Sequence, residues 1–207
     1  VATDAGRLVV QGTRRELHLF FATENSRAVV LYRAKNGLFR LITWETKEDS
    51  FEPGQWLKST IDVSKCALSP VGRHFTFFAL SKDAKDWYQA ISKPPFFTAV
   101  ELFSGLTPIG CGAHFPNRDT ISLRSASSKT ARAKLPCGLM LELRPSETPL
   151  VCAHSKGQIA DTFERYHSDG AKLYRKTASG NTLIKDFGDM QFESIKAPYE
   201  GVQRRNP

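Results

Sequence analysis

The stretch Ala28-Val29-Val30-Leu31-Tyr32-Arg33-Ala34-Lys35-Asn36-Gly37-Leu38-Phe39-Arg40-Leu41-Ile42-Thr43-Trp44 reads as two strands joined by a turn. Both arms are rich in β-branched and aromatic residues, which fit a pleated, packed surface. Asn36-Gly37 between them is the strongest short-range hairpin signal in the chain, because both residue types accept positive φ. In Leu38–Trp44 polar and apolar residues partly alternate, as expected of a half-buried strand.

The same pattern continues outward. Arg7–Val10, Glu16–Phe21, Thr60–Val63, Arg73–Leu80, Phe96–Phe103, Leu139–Leu143 and Lys172–Lys176 are short, apolar-rich and mostly bounded by turn residues. Around Phe75–Phe78 both faces are apolar, which marks an inner strand. Pro53-Gly54 fits a type II turn, with Pro presetting φ and Gly supplying φ > 0. Pro94-Pro95 is expected to be extended and cannot donate to a ladder. Helix signals are weak: Gln158–Tyr166 has room for two turns, and Ser81–Gln89 reads as a turn or loop. The expected fold is all-β, a single domain over 1–207 made of short antiparallel strands with little helix. Its best-supported core is 28–116, and 120–135 is expected to be a basic surface loop.

Glycines precede strand-like segments at Gly6, Gly37, Gly72, Gly105, Gly138 and Gly170. The spacing is near-even. The clearest members read Asp4-Ala5-Gly6-Arg7-Leu8, Pro70-Val71-Gly72-Arg73-His74-Phe75 and Ser168-Asp169-Gly170-Ala171-Lys172-Leu173, one turn-then-strand unit used again.

Ser69-Pro70-Val71-Gly72-Arg73, followed by His74-Phe75-Thr76-Phe77-Phe78, resembles the Ser-Pro-Asp-Gly-Arg turn of TolB-type β-propeller blades, with Val71 where that family has Asp. A wider stretch is similar to a group of uncharacterised bacterial proteins. The matching pieces are Ala28–Tyr32, Leu38–Trp44, Phe51-Glu52-Pro53-Gly54-Gln55-Trp56, Cys66-Ala67-Leu68-Ser69-Pro70, Ile91-Ser92-Lys93-Pro94-Pro95-Phe96 with Thr98-Ala99, and the glycine cluster Gly110–Gly112 before Phe115. In that group the glycine run is usually unbroken; here Cys111 and Ala113 interrupt it. The resemblance implies a propeller-like or partial propeller fold and a bacterial or phage origin. It implies no activity. A propeller needs at least four blades of about 40–45 residues, which this length can supply.

Composition sets the outer bounds. The 207 residues are 41% hydrophobic and 11% aromatic, which excludes a disordered chain. No apolar run approaches the roughly 18 residues that span a bilayer. Four cysteines, at 66, 111, 137 and 152, are too sparse for a disulfide scaffold and read as buried thiols in a reducing, cytoplasmic compartment. The chain starts at Val1, which is compatible with a removed leader.

The 29 basic and 21 acidic side chains leave a net charge of +8. Such a balance favours anionic partners. Its clearest concentration is Thr120–Leu141, which carries Arg124, Lys129, Arg132 and Lys134 and no acid. These four are the candidate partner-binding residues. Aromatics interleave with basic residues in Tyr32–Arg40, Lys85–Tyr88 and Arg165–Arg175, a composition that can stack bases and neutralise phosphates.

Catalytic signals are sparse. Gly110-Cys111-Gly112-Ala113-His114 could place a thiol near an imidazole. Cys111, His114, Cys137, Cys152 and His154 could be gathered around zinc, although no repeated Cys pair is present. There is no Gly-x-Ser-x-Gly elbow, P-loop or Rossmann glycine fingerprint. Glu48-Asp49 reads as a solvated hairpin tip, and His18 and His74 as packed strand histidines. The reading is a non-catalytic module, without a cofactor, that holds a protein partner, such as an immunity or accessory subunit. A nucleic-acid-binding protein and a cysteine or zinc enzyme at Cys111/His114 are the alternatives.

Overall fold

Alternation along the central hairpin buries both of its faces. A computed structural model describes residues 15–83, 85–106, 112–125, 130–145 and 164–202. The first sheet is antiparallel, in the order β1 (Glu16–Phe21), β2 (Arg27–Arg33), β3 (Leu38–Glu45), β4 (Ser50–Lys58). Val29, Leu31, Phe39 and Leu41 point to one side, and Ala28, Val30, Tyr32, Ile42 and Trp44 to the other. All nine are buried, so β3 is an inner strand and not the half-buried one expected. Asn36 (φ 63°) and Gly37 (φ 69°) make the β2–β3 turn, as their residue types require.

The second sheet is β5 (Ile61–Leu68), β6 (Phe75–Leu80), β7 (Trp87–Ser92), β8 (Ala99–Leu106), again antiparallel and in chain order. Its Phe75, Phe77, Ala79 and Ala90 pack on the Val29/Leu31/Phe39/Leu41 side of the first sheet. The third sheet runs β11 (Ala131–Lys134), β12 (Met140–Pro145), β10 (Thr120–Ser125), β9 (Gly112–Asn117), with β10 and β12 parallel. It packs Ala113, Phe115, Ile121, Leu123 and Leu141 against Ala67 and Ile91 of the second sheet. The fourth sheet, β13 (Tyr166–Asp169), β14 (Lys172–Thr177), β15 (Gly180–Asp186), returns to the free side of the first. There Leu173 and Phe187 join Tyr32 and Trp44 in one cluster. The face-to-face order is therefore fourth, first, second, third. Among the described residues no core cluster joins the third sheet to the fourth.

The fold is all-β, with antiparallel and mixed sheets. Helical backbone among the described residues is a 3-10 turn at Lys35–Gly37 and residues 164–165. No described helix is long and apolar enough to cross a membrane.

Several local expectations change in the tertiary context. Pro53-Gly54 is not a turn but lies inside β4, an edge strand, where the ladder can spare the proline N–H. The β3–β4 register shifts between Arg40 and Ile42 at this point. Gly54 is required by close approach: a Cβ there would lie 1.8 Å from the Pro95 carbonyl oxygen. Ser81–Gln89, read as a turn or loop, contains the start of β7. The expected 120–135 loop contains strands β10 and β11, because Ile121 and Leu123 supply an apolar face that packs. Trp56 packs on Tyr32 and Phe192, and Phe77 on Phe97 between the first and second sheets. Arg7–Val10 and most of Gln158–Tyr166 lie outside the described residues.

The Ser69–Arg73 turn is capped by its own serine. Ser69 Oγ accepts from the Arg73 N–H at 3.1 Å and the His74 N–H at 3.0 Å, the work a side-chain carboxylate does in other turns of this kind. Glu24 N–H and the Asn25 amide donate to the Pro70 and Val71 carbonyls, which fastens the turn to the first sheet. All five described glycines of the ladder have positive φ. They do not mark one repeated unit: Gly72 and Gly170 open the second strand of their sheets, Gly37 the third strand of its own, and Gly105 lies inside β8. The sheets begin at residues 16, 61, 112 and 166, a longer period than the glycine spacing.

The segment after β15 straps the first two sheets together. Glu193 pairs with the buried Arg40, whose guanidinium also lies 5.1 Å from the Trp56 ring and donates to the Gly54 carbonyl at 3.1 Å. Tyr199 Oη donates to the Thr98 carbonyl at 2.9 Å, and Val202 N–H donates to the Ala99 carbonyl at 2.9 Å.

Candidate functional site

Strand alternation divides the third sheet into two unlike faces. Residues directly opposed across a ladder share a face. His114 opposes Ser122, Ser122 opposes Glu142, and Glu142 opposes Arg132. One residue pair further along, Arg124 opposes Arg144; in the other direction Lys134 opposes Met140. Among the described residues, the face turned away from the second sheet therefore carries Arg124, Arg132, Lys134 and Arg144 around one carboxylate, Glu142.

That carboxylate organises the row. Arg132 and Arg144 both donate to Glu142, the latter at 2.8 Å. The Arg144 hydrogen bond, with the Arg132 charge, holds the Glu142 carboxyl below the usual carboxylate range against the effect of burial. The Glu142 side chain is 12% exposed, whereas those of Arg132 and Arg144 are 71% and 43% exposed. The acid is thus sunk between two guanidinium groups that face solvent. Ser122 lies fully buried beneath the row. Burial, with the Arg144 and Arg124 cations nearby, pushes the His114 imidazole below its ordinary pKa, so it adds no charge at neutral pH. His114 Nδ1 has no hydrogen-bond partner among the described residues.

Of the four partner-binding candidates, the structure brings Arg124, Arg132 and Lys134 to this one face; Lys129 lies outside the described residues. Arg144 and Glu142 were not singled out from sequence. The alternation Met140-Leu141-Glu142-Leu143-Arg144 is the signal that could have found them.

The candidate metal and thiol residues are scattered or out of view. His114 sits on β9 and Cys137 in the turn between β11 and β12, while Cys111, Cys152 and His154 lie outside the described residues. No group of three metal-ligating side chains occurs among the described residues. The Cys137 thiol is pushed up by burial, and its backbone N–H donates to Glu101 at 3.0 Å, a tie to the second sheet. Cys66, buried between the first two sheets, is pushed up to about 12 by burial.

The remaining sequence candidates are structural. Asp49 is no solvated tip: it accepts from Arg175 at 2.8 and 2.9 Å and from the Trp44 indole at 3.3 Å, linking the first and fourth sheets. Most aromatics of the mixed basic segments are engaged by other side chains, Tyr174 by His167 with ring centroids 5.0 Å apart. Tyr32 and Phe39 are buried, Trp87 stacks on Phe78 with centroids 5.0 Å apart, and Tyr166 packs on Phe21 and Trp44.

No protein-family model matches the chain, and neither does any curated protein. Two solved structures share part of its course. One is an uncharacterised protein of Listeria monocytogenes EGD-e, 11% identical, with a TM-score of 0.47, covering 86% of this chain and 55% of its own. The other is a candidate 6-phosphogluconolactonase of Bacteroides fragilis, 16% identical, with a TM-score of 0.28, covering 86% of this chain and 38% of its own. This chain thus spans about half the length of the first and less of the second.

Proposed function

We propose that this chain is a non-catalytic binding module of bacterial or phage origin that holds an acidic protein partner on the outer face of the third sheet. The observation that carries the proposal is the cross-strand row in which Glu142 orients Arg132 and Arg144 beside Arg124 and Lys134. Guanidinium groups held in place lose less freedom when they engage carboxylates, and rim charges steer and select a partner. A protein surface is favoured over nucleic acid because the described residues of the row include no Phe, Tyr or Trp on which a base could stack. The scaffold is read as a propeller-like stack. The Ser69–Arg73 turn feeding inner strand β6 supports a kinship with TolB-type blades. A cytoplasmic immunity or accessory subunit is the role such a module would fill.

The test is affinity capture from the native host with the wild type and an Arg132→Glu/Lys134→Glu variant. Both side chains are exposed, yet a carboxylate at position 132 opposes Glu142, so a loss of about 1 kcal/mol is expected, and a cooperative melt shows that the variant is folded. An acidic protein recovered with the wild type and lost from the variant is expected. Recovery of the chain alone refutes the proposal, as does tight, steeply salt-dependent binding of RNA or DNA.

A further inference from the structure

We infer that the cleft between the first and second sheets is a binding site for a small amphipathic anion, an apolar chain or ring system ending in one carboxylate. The cleft holds a cavity of about 680 Å³ at the end of β4, lined by Leu57, Phe77, Tyr88, Phe97 and Leu102, with Val202 at its edge. A second hollow of about 280 Å³ adjoins it and shares Lys58, Ser59, Leu80, Ser81 and Lys82 with the first. The two together read as a chamber and its vestibule.

Their chemistries differ in the way an amphipathic ligand requires. The chamber floor is aromatic: Phe77 meets Phe97 edge-on at 5.2 Å and Tyr88 edge-on at 6.2 Å. The volume lies within the range of small-molecule sites, which combine an apolar lining with a few placed polar groups. Among the described residues, the vestibule is lined by two ammonium groups, Lys58 and Lys82, and by no carboxylate. Neither lysine forms an ion pair among the described residues. Asp83, on the chamber's rim, is engaged by the Ser81 hydroxyl.

The frame around the opening is tied down. Ser59 Oγ donates to the Leu80 carbonyl at 2.9 Å, Ser59 N–H donates to the Gly37 carbonyl at 3.1 Å, and Leu80 N–H to the Thr60 carbonyl at 2.9 Å. Three turns therefore hold the two lysines beside a preformed apolar chamber. An acyl or aryl body entering the chamber puts its carboxylate in the vestibule between Lys58 and Lys82.

The experiment is calorimetric titration of the full chain with dodecanoate, below its micellar concentration, and with dodecanol as the uncharged match. Saturable one-to-one binding of dodecanoate is expected. Lys58→Gln/Lys82→Gln, two exposed changes that leave the core intact, should weaken dodecanoate about tenfold and leave dodecanol unchanged. Leu102→Trp, which fills the chamber, should abolish binding of both, with the melting temperature showing that the variant is folded. Ala99→Leu is the smaller filling change if the tryptophan variant does not fold. No saturable binding to the wild type overturns the inference. Equal dodecanoate affinity in the lysine variant overturns it too, as does binding that survives a folded chamber-filling variant.

Discussion

Truncating Gln55 to Ala removes one amide that joins three separate segments of chain. Its Oε1 accepts from the Phe97 N–H at 2.8 Å, the Thr98 N–H at 2.9 Å and the Thr98 hydroxyl at 3.0 Å, and its Nε2 donates to the Ile195 carbonyl at 2.9 Å. The backbone N–H of Gln55 donates to Pro95 at 3.0 Å and survives the change. Without the side chain, two backbone donors and one acceptor lose their partners. An unsatisfied buried group costs about 1–3 kcal/mol. Phe97 is 7% exposed and bears the full penalty, while Thr98 and Ile195 are half-buried and recover part of it from water. The expected loss is about 2–4 kcal/mol, a large part of a total stability of about 5–15 kcal/mol. With a urea slope of about 3 kcal/mol per molar, the midpoint falls by about 1 M. Hydrogen exchange at the Phe97 and Thr98 amides should accelerate before global unfolding does. Gln55→Glu keeps the acceptor and loses the donor, so it should fall between wild type and Gln55→Ala. A midpoint shift under about 0.2 M for Gln55→Ala, with unchanged exchange at both amides, would show that this hub does not hold the sheets together.

Two further outcomes follow from the packing. Phe77→Ala, in the cluster between the first and second sheets, should cost about 3–5 kcal/mol. Trp56→Ala, half-buried over Arg40, should cost about 2 kcal/mol; a larger loss at Trp56 than at Phe77 in urea titrations contradicts the assigned core. Cys66 gives a pH dependence. Its thiol is pushed from 9.0 up to about 12 in the folded chain, so above pH 9 the unfolded thiol ionises first and the folded one stays protonated. Stability from this group is therefore lost as pH rises from about 9 toward 12, by about 1.4 kcal/mol per pH unit. The gap in urea stability between wild type and Cys66→Ala should narrow over that range, and a constant gap refutes the assignment.

Much of the fold was legible where it depends on neighbours in sequence. Glu16–Phe21 was read with the bounds of β1, and the Asn36-Gly37 turn has the positive φ values its residue types favour. The strands that escaped notice depend on distant contacts. Pro53-Gly54 looks like a turn by local chemistry, yet Pro95 lies so close that only glycine fits inside β4. The Ser81–Gln89 segment reads locally as a turn or loop, yet Trp87 opens β7 and stacks on Phe78 of the neighbouring strand.

The candidate site divides in the same way. That Arg124, Arg132 and Lys134 form an acid-free basic segment is a property of the residues alone, as are the all-β class and the hairpin turns, since charge, periodicity and φ preference act within a few residues. That these three share one face with Arg144, around Glu142, follows from the parallel pairing of β10 with β12. That pairing joins residues about twenty positions apart, and its register is set by the apolar face packing on the second sheet. Only the tertiary structure decides such a register, because the energy that selects it comes from burying Ile121, Leu123 and Leu141 against residues far away in the chain.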